Sequence, residues 1–212
     1  STVFGDLSRA TEAPVEANAE AANKNLFLGG ISCGIVFFIS SSLQQVGLLY
    51  TSAGKAGFIT SLYIVILPVF GIFLNQKIRP ILWISVILAT TGLYLLSIKE
   101  GFSVEWGDVL IFICALGFSI HILLIDYFSP KTDPVKLSSL QFLVCGVVSL
   151  PFMFAFETVS WAGIINSWFP IMFAGVMSCG VGYTLQIIAQ KRTAPSMTTL
   201  ILSLEFVIAF IA

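Results

Sequence analysis

Apolar residues run along this chain in stretches of about twenty, each closed by a short polar break. Such runs are too long for strands. A helix needs about 20 apolar residues to cross the hydrocarbon core of a bilayer, where every backbone polar group must be paired within its own segment or in a closed barrel. Reading from one break to the next predicts seven transmembrane helices over residues 26–50, 53–75, 80–98, 107–128, 135–156, 168–190 and 195–212. The connections over 76–79, 99–106, 129–134, 157–167 and 191–194 are short, so successive helices run antiparallel. The segment before them, residues 1–25, is rich in Ala, Glu and Asn and cannot enter lipid. It is expected to be a flexible cytoplasmic loop or tail, and it lacks the basic start, apolar middle and cleavage site of a signal peptide. A chain that opens without Met and stops at Ala212 inside an apolar run is expected of a fragment of a longer protein.

Charge orients the array. Arg9 and Lys24 precede the first predicted helix, Lys77 and Arg79 follow the second, Lys131 and Lys136 the fourth, and Lys191 and Arg192 the sixth. Alternation places all four groups on one side, which the positive-inside bias makes cytoplasmic. Lys99 falls on the opposite side, with Lys55 just inside that membrane edge, as do Trp106, Trp161 and Trp168, whose amphipathic rings suit the headgroup level.

Composition sharpens the class. Hydrophobic residues make up 57% of the 212 and charged residues only 10%, against about 25% charged in a soluble domain. Mean hydropathy is +0.98. The outside of this chain therefore meets a solvent other than water. A net charge of -1 gives no basic surface for nucleic acid. The four cysteines, Cys33, Cys114, Cys145 and Cys179, lie inside apolar runs without CxxC or CxxxC spacing. They read as packed thiols rather than a disulfide framework or a metal site. There is no GxSxG, HExxH, Walker A or GxGxxG motif, so an enzyme reading has no nucleophile and base to stand on.

The sequence also matches itself at an offset of 142 residues (193 − 51 = 142). Leu43, Gln44, Thr51, Ile59, Ser61, Leu62, Val65 and Ile66 recur as Leu185, Gln186, Thr193, Ile201, Ser203, Leu204, Val207 and Ile208. The first and sixth helices are an odd number of crossings apart, so the repeat is inverted. Inverted repeats are a common device of secondary transporters. The same offset pairs Gly54, Gly57 and Ser61 with Ser196, Thr199 and Ser203, small residues whose spacing lets helices pack closely in lipid.

Thr51-Ser-Ala-Gly-Lys-Ala-Gly-Phe-Ile-Thr60, continuing through Leu62-Tyr63 to Leu67-Pro68, resembles a helix of EamA-type proteins in the drug/metabolite transporter superfamily. Gly107-Asp108, His121-Ile-Leu-Leu followed by Asp126, Asp133-Pro134 with Leu140-Gln141-Phe142, Tyr183-Thr-Leu-Gln186 and Ser203-Leu-Glu205 resemble that family in order and spacing. The resemblance implies an all-α integral membrane fold of ten helices in two inverted five-helix repeats. This chain would supply helices three to nine, truncated at both ends: the end of the first repeat over 26–98, and over 107–212 a second repeat lacking its last helix. It departs from the family pattern at Phe206, where a proline is usual.

Polar groups inside the spans are candidates for function, because each is expensive in lipid. Glu205, placed by the resemblance near the middle of the seventh helix and by the offset opposite Tyr63, either faces a central cavity or is paired within the bundle. His121 in the fourth helix is either a solute contact or a neutral hydrogen-bonding core residue. Gln44 and Gln186, with Tyr63 and Tyr183, offer amide and hydroxyl groups that suit a polar organic solute. Lys55 is expected to snorkel to the headgroups, or to attract anions at the cavity mouth. Asp108 is expected at a helix start, on the favourable end of the dipole. The expected function is secondary transport of an amino acid, metabolite or drug-like compound, by alternating access and as an exporter, across the plasma or inner membrane. No cofactor or metal is implied. A non-transporting structural or assembly subunit is the alternative.

Overall fold

The computed structural model describes residues 3–73, 105–157 and 160–193, with single positions between 83 and 91 and between 195 and 202, and residues 3–19 as backbone only. Every described element is a helix, and five are long and apolar enough to cross a membrane: Glu20–Leu48, Ala53–Ile72, Trp106–Lys131, Pro134–Phe156 and Trp168–Gln190. They coincide with the first, second, fourth, fifth and sixth expected runs. Most of the third and seventh runs, with Ser203 and Glu205, lie outside the described residues.

Helix α1 runs unbroken over Val3–Leu48. The described residues 3–25 are continuous with the first crossing. Ala and Glu are strong helix formers, so a segment too polar for lipid is still competent as helix. At 1.5 Å per residue the first crossing alone is longer than a bilayer core of about 30 Å, so the polar N-terminal part projects beyond it.

The second crossing is two helices, α2 (Ala53–Ser61) and α3 (Tyr63–Phe73), joined at Leu62. Ser52 caps α2 by accepting from the Lys55 backbone N–H. At its other end Ser61 Oγ donates to the Phe58 carbonyl at 2.6 Å, a side-chain bond that competes with the helical ladder. Pro68 inside α3 removes another backbone donor. Helix α4 (Trp106–Phe128) continues into a 3₁₀ turn, Ser129–Lys131. Helix α5 (Pro134–Phe156) starts on Asp133, whose carboxylate accepts from the N–H groups of Val135 and Lys136 at 2.9 and 3.0 Å. After α6 (Trp161–Asn166), the sixth crossing is built from α7 (Trp168–Met172), a π-helical stretch (Phe173–Gly182) and α8 (Tyr183–Gln190).

Helix α1 is the hub, packed on α4 and α5. Gly30 and Gly34 turn a small face to α5, and a methyl group at Gly34 would sit 2.6 Å from the Gln141 carbonyl oxygen. Without a hydrophobic drive between helices in lipid, such close backbone approach is what gives dispersion contact its reach. The ends of the bundle are equally defined. At one, Lys191 Nζ donates to the Thr132 carbonyl at 3.5 Å, joining the connections that carry Lys131 and Arg192 next to Lys136 in the first turn of α5. At the other, Lys55 lies 3.9 Å from both Glu105 and Asp108, and Thr51 donates to Asp108. The basic connections 129–134 and 191–193 therefore share an end, as the charge bias requires.

Large apolar side chains face outward along α5 and the sixth crossing, among them Leu143, Val147, Phe154, Phe169, Ile171 and Met172. A surface of this kind calls for an apolar surrounding, lipid or another apolar helix. The chain is a multi-pass membrane protein. Its four cysteines are free, Cys33 and Cys114 buried and Cys145 and Cys179 half-buried.

Candidate functional site

A cavity of about 510 Å³ opens between the inner faces of α1 to α4 and the sixth crossing. Each wall follows from local helix geometry. On α4, Phe118, His121 and Ile122 fall at i, i+3 and i+4 and so share one face. Thr60 and Tyr63 flank the break at Leu62 and both reach the cavity. In the sixth crossing, Phe173, Ser178, Gly182 and Gln186 succeed one another at intervals of five, four and four residues. The π-helical register, in which bonds run from i to i+5, brings such intervals onto one face, and π segments recur at functional sites. Gln44 closes the cavity from α1, Tyr183 from α8, and Met177 and Leu202 add apolar surface.

Two polar groups of this wall are deeply buried. Thr60 is 2% exposed, and its Oγ1 has no hydrogen-bond partner among the described residues. His121 is 1% exposed, and its Nε2 lies 3.1 Å from Gln141 Oε1 on α5. A carbonyl oxygen only accepts, so the imidazole donates through Nε2. Behind the histidine, Phe37 of α1 joins an aromatic cluster. Its ring centroid is 5.4 Å from His121, 5.3 Å from Phe142 and 5.1 Å from Tyr183. Edge-on packing of this kind fixes ring orientation as well as burying area.

Five of the side chains singled out in the sequence, Gln44, Tyr63, His121, Tyr183 and Gln186, come together on this one cavity. Lys55 does not. It sits at the bundle end in an ion-paired cluster, its side chain 14% exposed, and it joins α2 to the first turn of α4. Asp108, expected at a helix start, lies in that turn and accepts from the Glu105 backbone N–H at 2.9 Å. Glu205 lies outside the described residues. Thr60, Phe118, Phe173 and Ser178 carried no signal, because hydroxyls and aromatics are ordinary in membrane helices. Gln141, behind the wall, had one: it is an amide within an apolar span. Among the described residues no cluster of His, Cys, Asp or Glu could hold a metal ion.

Comparison with known proteins bears on the same residues. The model of the EamA-like transporter family matches residues 105–212, which covers α4 and everything after it. A protein of Archaeoglobus fulgidus described as an uncharacterized transporter is 34% identical over 184 residues, 86% of this chain. The chain spans 59% of that relative's length. No solved structure matches it. Shared sequence across most of the chain, a family match over its second half and a bundle of apolar crossings agree: the chain belongs to the EamA-like transporter family.

Proposed function

We propose that this chain carries the greater part of a secondary transporter that exports a small organic solute, an amino acid, metabolite or drug-like compound, by alternating access. The observation that carries the reading is the cavity itself. About 510 Å³ is the size of a small-molecule site, and its lining joins aromatic and aliphatic surface to a few neutral hydrogen-bonding groups. Amides at Gln44 and Gln186, hydroxyls at Thr60, Tyr63, Ser178 and Tyr183 and the His121 imidazole can replace the hydration of a polar organic solute. A bare ion would need a closer shell of oxygen ligands.

The repeat supports alternating access. Gln44 and Gln186 are 142 residues apart (186 − 44 = 142), as are Thr60 and Leu202 (202 − 60 = 142), and all four line the cavity. Equivalent positions of two oppositely oriented repeats meeting on one central site is the arrangement from which two half-structures exchange inward-open and outward-open forms. The offset also pairs Tyr63, which lines the cavity, with Glu205, which is proposed to complete it. Irregular backbone at membrane depth, here the break at Leu62 and the π-helical stretch, is tolerated where it borders a cavity.

The test is metabolite profiling, inside and outside cells that express the full-length protein, its Gln44→Ala/Gln186→Ala variant, or an empty vector. A solute that accumulates outside only with the parent protein supports the reading. Identical profiles for the parent and the vector would leave a structural or assembly role in its place.

A further inference from the structure

Helix α5 contributes no side chain to the cavity lining among the described residues, yet it touches the wall at three consecutive contact positions. Ser138 Oγ and Thr184 Oγ1 are 2.8 Å apart, so α5 is bonded to α8 beside Tyr183. Gln141 Oε1 accepts from His121 Nε2, so α5 is bonded to α4. Phe142 packs on Tyr183 with ring centroids 5.4 Å apart. In turn α1 fixes the backbone of α5 at this level, because Gly34 lies against the Gln141 carbonyl.

Gln141 is fully buried, and its amide nitrogen has no partner among the described residues. Burying an amide with half of its hydrogen-bonding capacity unused lowers stability, so packing does not explain why it stands there. What it does is hold an imidazole. With Nε2–H committed to Gln141, a neutral His121 keeps its lone pair on Nδ1, and the ring presents an acceptor. We propose that Gln141 is a positioning residue that locks His121 in the Nε2–H form, so that the cavity receives the hydrogen-bond donor of its solute at Nδ1. The proposal rests on the transport reading only for its last clause; the locking itself stands on the contact between α4 and α5.

Because His121 is the sole histidine of this chain, the lock can be read spectroscopically. Full-length protein is labelled with ¹⁵N-histidine in nanodiscs, and the His121 signal is assigned by its loss in His121→Asn. Two-bond proton–nitrogen correlation then distinguishes the Nε2–H from the Nδ1–H tautomer. The parent protein should show Nε2–H alone, and Gln141→Met, of similar volume but without a hydrogen-bonding group, should show a mixture. A parent protein in the Nδ1–H form overturns the proposal even if the variant does not fold. So does a folded Gln141→Met with an unchanged Nε2–H signal. The second arm uses the solute that profiling identifies. Gln141→Met and His121→Asn should each raise its apparent KM about tenfold, and the double variant should be no worse than either. Additive losses would mean that Gln141 does not act through His121. Failure of the first arm with transport intact removes the lock alone, whereas a parent protein that moves no solute removes the transport reading and leaves the tautomer result standing.

Discussion

Replacing Gly34 by Ala tests the packing on which the cavity depends. An added Cβ would lie 2.6 Å from the Gln141 carbonyl oxygen and 2.8 Å from Val144 Cβ, where ordinary contact begins at 3.4 Å. The two helices must separate locally by about 0.8 Å (3.4 − 2.6 = 0.8). The obstacle is backbone, so rotamer change cannot relieve it. Overpacking of this kind costs about 1–3 kcal/mol, and at this chain length each kcal/mol lowers the melting temperature by about 2–4 °C. The natural control lies on α5 itself. A Cβ at Gly146 meets nothing within 4 Å, so Gly146→Ala should be neutral or gain up to about 1 kcal/mol from helix propensity. Thermal unfolding of the detergent-solubilised protein, followed by size-exclusion chromatography, measures both. If Gly34→Ala melts at or above the parent, or if the two alanines behave alike, the close α1–α5 contact is wrong.

Further outcomes are expected on the same basis. A single cysteine placed at Lys131 should resist membrane-impermeant labelling from outside intact cells and one at Trp161 should react; labelling at Lys131 would invert the topology. Lys55→Met removes the cation 3.9 Å from Asp108 and Glu105 and should lower the melting temperature while the solute's apparent KM stays unchanged, since Lys55 lies off the cavity; a KM effect would place it in the site. Asp108→Ala removes an acceptor for the Glu105 N–H and the Thr51 hydroxyl and should destabilise by about 0.5–2 kcal/mol, read in the same melt. Glu205→Gln should abolish transport or its pH dependence with normal expression; transport like the parent at every pH would make that carboxylate structural.

The crossings were legible because a bilayer fixes length and polarity together: 135–156 and 168–190 reappear almost to the residue as Pro134–Phe156 and Trp168–Gln190. The cavity was legible through its amides, tyrosines and histidine, since a polar group in an apolar run needs a reason to be there. Hydropathy is blind to hydrogen-bond register, so neither the break at Leu62 nor the π-helical stretch could be foreseen. Serine and threonine hide for a related cause. Ser40 and Ser119 donate to carbonyls four residues back in their own helices, which makes a hydroxyl cheap to bury whether or not it serves a site. The role of Lys55 depended on Glu105 and Asp108, about fifty residues away, a pairing that only the fold creates.

Filling the cavity tests directly whether solute passes through it. Ser178 lines the cavity, whereas Ile171 of the same crossing does not. Full-length protein, Ser178→Trp and Ile171→Trp would be reconstituted in liposomes and assayed for counterflow of the solute found by profiling. The parent and Ile171→Trp should exchange solute, and Ser178→Trp should not. Exchange by Ser178→Trp at the parent rate would place the solute path outside this cavity.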